Sequence, residues 1–178
     1  MPDYRRIRVP GGSYFFTVNL LERNSHLLVT HIERLREAVR KVRRQRPFHI
    51  DAWVVLPDHL HAVWTLPSHD ADYSGRWRAI KIAFAKTLPK TERLSAVRVK
   101  KGERGLWQRR FWEHTVRDDR DYAAHIDYVH INPVKHGLVA RVRDWPYSSF
   151  HWFVMRGLYP GDWAGGDALE LPAGERGD

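Results

Sequence analysis

His59 and His61 flank Leu60 in the run VVLPDHLHAVWTL, residues 54–66. The alternating apolar residues around them predict a β-strand, on which residues i and i+2 project from one face with Cα atoms about 6.7 Å apart. Two imidazoles held this way can converge on one divalent ion, while Leu60 and Ala62 point the other way into a core. The chain has 11 histidines, so the pair also has a plain reading as two solvent-facing side chains on an amphipathic strand. A second constellation has to join it before it means chemistry.

That second constellation is predicted on a helix. Asp121, His125, Tyr128 and Asn132 are spaced 4, 3 and 4 apart and form one polar stripe, beside an apolar stripe of Tyr122, Ile126 and Val129 expected to pack on the sheet. Alone, Tyr128 reads as an amphipathic packing residue and Asn132-Pro133 as a helix-end signal. Together with the histidines they read differently. Two imidazoles and an amide oxygen can hold a divalent ion with positions open for phosphate and water, and such an ion is a Lewis acid toward a phosphoryl oxygen. A tyrosine hydroxyl beside it is a nucleophile toward that phosphorus. Free phenol has a pKa near 10, so a metal or a nearby Lys or Arg must favour the phenolate. Attack on DNA would give a phosphotyrosine ester that keeps the bond energy, so a strand can be cut and rejoined without ATP. Tyr122 falls on the apolar stripe and is the poorer nucleophile. His114, His125, His130 and His136 read as surface groups or as groups behind the ligands.

The elements that must position these residues follow from the pattern. Residues 13–20 read as a strand and 32–46 as a helix with a basic exterior. Residues 48–56 and 60–66 read as two strands around Pro57-Asp58, and 76–88 as a helix striped by Trp77, Ile80, Phe84 and Leu88. A mobile basic loop is expected over 90–105 and a strand over 107–116. The final helix runs from about 120 to 132, broken by Pro133 and closed at Gly137. This order is a split βαβ pattern on an antiparallel sheet, hence an α+β sandwich. One domain is expected over 1–156, with a Gly-rich, poorly ordered tail over 157–178.

Composition narrows the chemistry. The 178 residues suit one domain, and zero cysteines exclude disulfide scaffolds, Cys-ligated zinc and thiol catalysis. No stretch approaches the roughly 20 apolar residues of a membrane span, and the basic start has no signal-peptide core, so a cytoplasmic protein is expected. The net charge of +9 is concentrated in residues 1–50 and 70–120, each net +7. Two basic blocks with 22 aromatic residues, eight of them Trp, point to a polyanion that stacks on rings, namely nucleic acid. Candidate DNA contacts are Arg5, Arg6 and Arg8 on an N-terminal arm, with Lys81, Lys86, Arg109 and Arg110 along the strand's path. Trp107 or Trp112 would be the stacking platform.

PDHLH on a strand, then HIDYVHINPVKHGLV and WPYSSF far downstream, resembles the single-tyrosine HUH transposases. Within them, the chain is most similar to the REP-associated tyrosine transposases. RRIRVPGGSYFFTVNLLER and LWQRRFWEHTVRDDRDY extend the resemblance over most of residues 4–151. It implies a ferredoxin-like sandwich, with His59 and His61 as metal ligands and Tyr128 as the nucleophile that becomes 5′-phosphotyrosyl and releases a 3′-hydroxyl. Asn132 would be the third ligand, one methylene shorter than the Gln often found there. The residues themselves leave zinc and Mg²⁺ or Mn²⁺ open; the resemblance implies Mg²⁺ or Mn²⁺. The implied substrate is single-stranded DNA beside an imperfect hairpin, in a bacterial nucleoid-associated setting, with a monomer or a homodimer both compatible. Two other classes fit the same scaffold: a non-catalytic hairpin-binding regulatory protein, and a small metal hydrolase acting through activated water.

Overall fold

Gly11, in the left-handed region at φ +69°, turns the chain into strand β1 (Ser13–Asn19). The computed structural model describes residues 5–165. After β1 come a single helical turn, α1 (Leu27–Thr30), and helix α2 (Ile32–Gln45), then strands β2 (His49–Val55) and β3 (His59–Thr65). Helix α3 (Tyr73–Lys86), short helix α4 (Ala96–Lys100), strand β4 (Trp112–Thr115), helix α5 (Asp119–Lys135) and short helix α6 (Phe150–Met155) complete the order. The sheet order is β2-β3-β1-β4 with antiparallel neighbours throughout. This is the expected α+β architecture, a ferredoxin-like sandwich with helices packed on an antiparallel sheet.

The period of two along the strands divides the molecule into two faces. Tyr14, Phe16 and Val18 of β1 and Leu60, Ala62 and Trp64 of β3 enter one core with Leu35, Val39 and Val42 of α2 and Trp77, Ile80 and Phe84 of α3. Trp64 and Trp77 stack there with centroids 4.1 Å apart. Phe15, Val54 and Val63 enter a second core on the opposite face, closed by Ile126, Tyr128 and Val129 of α5. Among the described residues, no helix is long and apolar enough to cross a membrane.

Three expectations change. The strand expected over 107–116 shrinks to β4, with only an isolated bridge from Trp107 to Leu20 ahead of it. Side chains capture the carbonyls that would have extended the ladder: Lys81 Nζ donates to Gln108 O at 2.9 Å and Arg98 to Trp107 O. The basic loop is pinned: Ser95 caps α4 and Arg104 donates to the carbonyls of Ala85, Leu88 and Pro89 and to Glu92. Finally, α5 does not stop before Pro133. Despite the lost N–H and the ring's crowding of the preceding turn, the helix continues to Lys135. It ends at Gly137 (φ +68°), where Gly137 N donates to Val134 O and Leu138 N to Pro133 O, both at 2.9 Å, a Schellman closure.

The segment expected to open a poorly ordered tail divides. In 157–165, Tyr159 stacks with Phe153 and Trp163 and donates to Asp127; residues 166–178 lie outside the described residues.

Candidate active site

The register Asn19↔His59 and Thr17↔His61 puts both histidines of β3 on the α5 face of the sheet, beside β1. Both are buried, at 5% and 3% exposure, which sets aside the solvent-facing reading. Each ring is held by its Nδ1. His59 Nδ1 lies 2.6 Å from Asp58 Oδ1, and an ionised carboxylate only accepts, so the proton sits on Nδ1 and Nε2 faces away from it. His61 Nδ1 lies 2.9 Å from Thr17 Oγ1. Burial pushes the Asp58 carboxyl up, but the bond from His59 and the charges of His59 and Arg23 outweigh it and leave the group below its ordinary value. Arg23 Nε stands 2.9 Å from Asp58 and also donates to Asn19. Burial, then the charges of His59 and His136, holds His61 well below its ordinary pKa. It is a neutral imidazole at pH 7.

Helix α5 supplies the other half. The polar stripe, and not only the apolar stripe beside it, faces the sheet: His125, Tyr128 and Asn132 are all buried. The Tyr128 ring meets His61 edge-on at 5.5 Å and Phe15 at 5.7 Å. Lys135 Nζ stands 4.5 Å from the centre of that ring. Asn132 Nδ2 donates to Tyr128 O at 3.1 Å, which leaves Oδ1 for the site. Tyr122 is turned elsewhere, donating its hydroxyl to Asp51 at 2.8 Å. Burial, then that carboxylate, pushes its pKa up.

Two buried atoms here make no hydrogen bond of good geometry, His61 Nε2 and Asn132 Oδ1, although Asn132 lies near enough to act on His61. Leaving a buried polar group unpaired costs about 1–3 kcal/mol. Orphaned lone-pair atoms beside two histidines fixed through Nδ1 fit a divalent cation, since ligating imidazoles are characteristically held by their other nitrogen. His136 joins the group: ligand atoms of His59, His61 and His136 all lie within 4.8 Å of one another.

A second cluster, His114, Asp121 and His125, has similar composition but different electrostatics. Asp121 Oδ2 already accepts from His114 Nε2 (2.8 Å), Arg117 N (2.9 Å) and Arg117 Nε (3.2 Å). Burial pushes this carboxyl up, but those donors outweigh it and hold it far down. The cluster is satisfied without an ion. It clamps the first turn of α5 to β4 and stacks His125 on His114.

The candidate DNA contacts separate. Lys81, Lys86, Trp107 and Arg109 line one cleft of about 870 Å³ on the α3 face, together with Arg78, Arg98 and Lys101. Gln108 N donates to Asn19 O at 3.0 Å, so the cleft floor joins the end of β1 that borders His59. Trp107 is buried at 7% exposure against 40% for Trp112, so Trp112 offers the more open ring. Burial, then the Arg6 charge, pulls Lys81 down to about 8. Arg109 pairs with Glu103, and Arg110 is exposed. On the N-terminal arm, Arg5 and Arg8 are exposed. Arg6 instead packs on Phe111, 4.1 Å from the ring centre, and bonds Ser74.

No protein-family model matches the chain. A protein of Escherichia coli (strain K12) described as a REP-associated tyrosine transposase is 52% identical over 176 residues, covering 99% of this chain and 98% of that one. A Haemophilus influenzae protein that carries the same description provisionally is 45% identical over 172 residues, 96% of this chain and 98% of its own. A solved structure of a REP-associated tyrosine transposase bound to a REP hairpin superposes with a TM-score of 0.83 at 52% identity, covering 99% of this chain and 98% of that chain.

Proposed function

Because the chain belongs to the REP-associated tyrosine transposases, we propose that it cuts and rejoins single-stranded bacterial DNA beside a hairpin, in the cytoplasm, through Tyr128. The observation that carries the reading is the pair of orphaned buried atoms, His61 Nε2 and Asn132 Oδ1, beside the Tyr128 ring. His59, His61 and Asn132 would hold Mg²⁺ or Mn²⁺, which supplies Lewis-acid polarisation of the scissile phosphate. In the forward step Tyr128 Oη bonds to phosphorus and the bond from phosphorus to the 3′ oxygen breaks. The phenolic proton leaves for solvent and the released oxygen gains one, giving a 3′-hydroxyl and a 5′-phosphotyrosyl end. A 3′-hydroxyl attacking that ester reverses the sequence. Asp58 and Thr17 orient the imidazoles, and Asn132 Nδ2 ties the amide to the turn that carries Tyr128.

The test is covalent trapping of labelled hairpin-bearing single-stranded DNA on a denaturing gel. A retarded band that needs Mn²⁺ or Mg²⁺ and vanishes in Tyr128→Phe is expected. Metal-dependent cleavage that persists in Tyr128→Phe would replace the reading with activated water. Binding unaffected by chelation, with no cleavage of any hairpin tried, would replace it with a non-catalytic binder.

We assign DNA backbone contacts to the basic cleft. Lys86 and Lys101 are exposed there, so replacing either with Ala is expected to weaken hairpin binding for all sequences. Each change should lower the slope of log affinity against log salt by about 1. Filter binding from low to high salt checks this, and slopes equal to the unsubstituted protein's would move the DNA off this cleft.

A further inference from the structure

We propose that His136 is a third imidazole ligand of this centre, so that the chain holds its ion with three ring nitrogens. The inference rests on the metal reading above and deepens it. Tyr128, Asn132 and His136 are spaced four apart, and because α5 runs through Pro133 all three stay on the face that meets β3. The His136 ring reaches the His59 ring at 5.0 Å and 68°, and His59 meets His61 at 5.0 Å and 87°. These close approaches leave one ligand atom from each of the three histidines within 4.8 Å of the others. His136 is also the C-cap of a 17-residue helix, where the negative end of the helix dipole favours a cation.

The consequence is a choice of metal class. An amide oxygen, phosphate and water suit Mg²⁺ or Mn²⁺, but a third imidazole raises affinity for nitrogen-preferring ions such as Co²⁺, Ni²⁺ and Zn²⁺, and leaves Mg²⁺ behind. Catalysis supported by Mn²⁺ then coexists with tight binding of Co²⁺.

The experiment is titration of the full metal-free chain with Co²⁺, followed by visible d–d absorption, for the unsubstituted protein, His136→Ala and His61→Ala. One Co²⁺ per chain is expected, displaced by Ni²⁺ or Zn²⁺ but not by equal Mg²⁺. His136→Ala should weaken binding at least about tenfold and change the band shape. His136 is exposed, so thermal unfolding in EDTA should be unchanged by that substitution. An unaltered spectrum and affinity in His136→Ala, with binding lost in His61→Ala, overturns this inference alone. No Co²⁺ binding by the unsubstituted chain, or binding indifferent to His61→Ala, overturns the metal reading with it.

Discussion

His61→Ala is expected to lower DNA cleavage at least about a thousandfold while the protein still folds. Polarisation of a phosphoryl oxygen is worth several kcal/mol of transition-state stabilisation, and about 4 kcal/mol corresponds to roughly a thousandfold in rate. His61 is the ligand with the least freedom to be replaced. It is fixed by Thr17 through Nδ1, stacked on Phe15 at 5.6 Å and against Tyr128, and its Nε2 has no other partner. Two opposing effects act on the fold: removing the ring opens a small cavity, and it also removes an unpartnered buried nitrogen. Single-turnover cleavage under excess enzyme reads the first effect, and thermal unfolding in EDTA, expected to move by only a few degrees, reads the second. Cleavage within tenfold of the unsubstituted rate would remove His61 from the chemistry.

Arg76→Ala is expected to destabilise the protein by about 3–5 kcal/mol, because it removes one donor from four acceptors at once and each acceptor left unpaired costs about 1–3 kcal/mol where it is buried. Arg76 is 1% exposed. Its guanidinium donates to Arg46 O (3.2 Å), Asp72 O (2.9 Å), Pro47 O (2.9 Å) and Asp70 Oδ2 (2.6 Å). Truncation leaves three carbonyls and a carboxylate without that donor, at the joint where α2 ends, β2 begins and α3 starts. For a chain of this size the midpoint should fall by about 6–20 °C. Arg76→Lys keeps the charge but not the planar fork, so it should fall between. The bonds from Arg76 and then from Asp72 N hold the Asp70 carboxyl at about 2, below the roughly 3.9 of an unfolded aspartate. A depressed carboxylate contributes stability above the unfolded pKa and loses it as pH falls through the folded one. The unsubstituted protein should therefore lose an increment of stability between about pH 4 and pH 2, and Arg76→Ala should show a flatter profile there. A midpoint within 2 °C of the unsubstituted protein would show that these carbonyls find other partners.

The alternation in SYFFTVNL and VVLPDHLHAVWTL made the two central strands and the facing of His59 and His61 legible, because a period of two needs no tertiary information. The spacing of Asp121, His125, Tyr128 and Asn132 placed them on one stripe, but the apolar stripe beside it was the one expected on the sheet, and only packing shows that the polar stripe lies there too. His136 reads in the sequence only as a surface group or a group behind the ligands. Its spacing from Tyr128 and Asn132 was the available signal, and the Schellman closure at Gly137 explains why the helix reaches it. Asp58 was visible next to His59 in PDHLH, but its role depends on a side-chain rotamer. Thr17 depends on the register with His61, which local sequence does not encode. Arg76 carried no signal, since an arginine on a basic helix reads as solvated and two of its four partners come from a turn some 30 residues away.

The two faces of the sheet have a consequence for how such a chain decays or diversifies. On the proposed assignment, the cleft that grips DNA belongs to the α3 side and the reacting groups to the α5 side. Point changes on one side leave the other side's residues in place, so a lineage can shed strand transfer and keep its hold on hairpins, or alter which hairpin it holds while the chemistry persists. The exception is β3 itself. Inserting or deleting one residue there would exchange its two sides, sending both histidines into the larger core and Leu60, Ala62 and Trp64 out of it. Length in that seven-residue strand is thus inherited under tighter constraint than the identity of most positions around it.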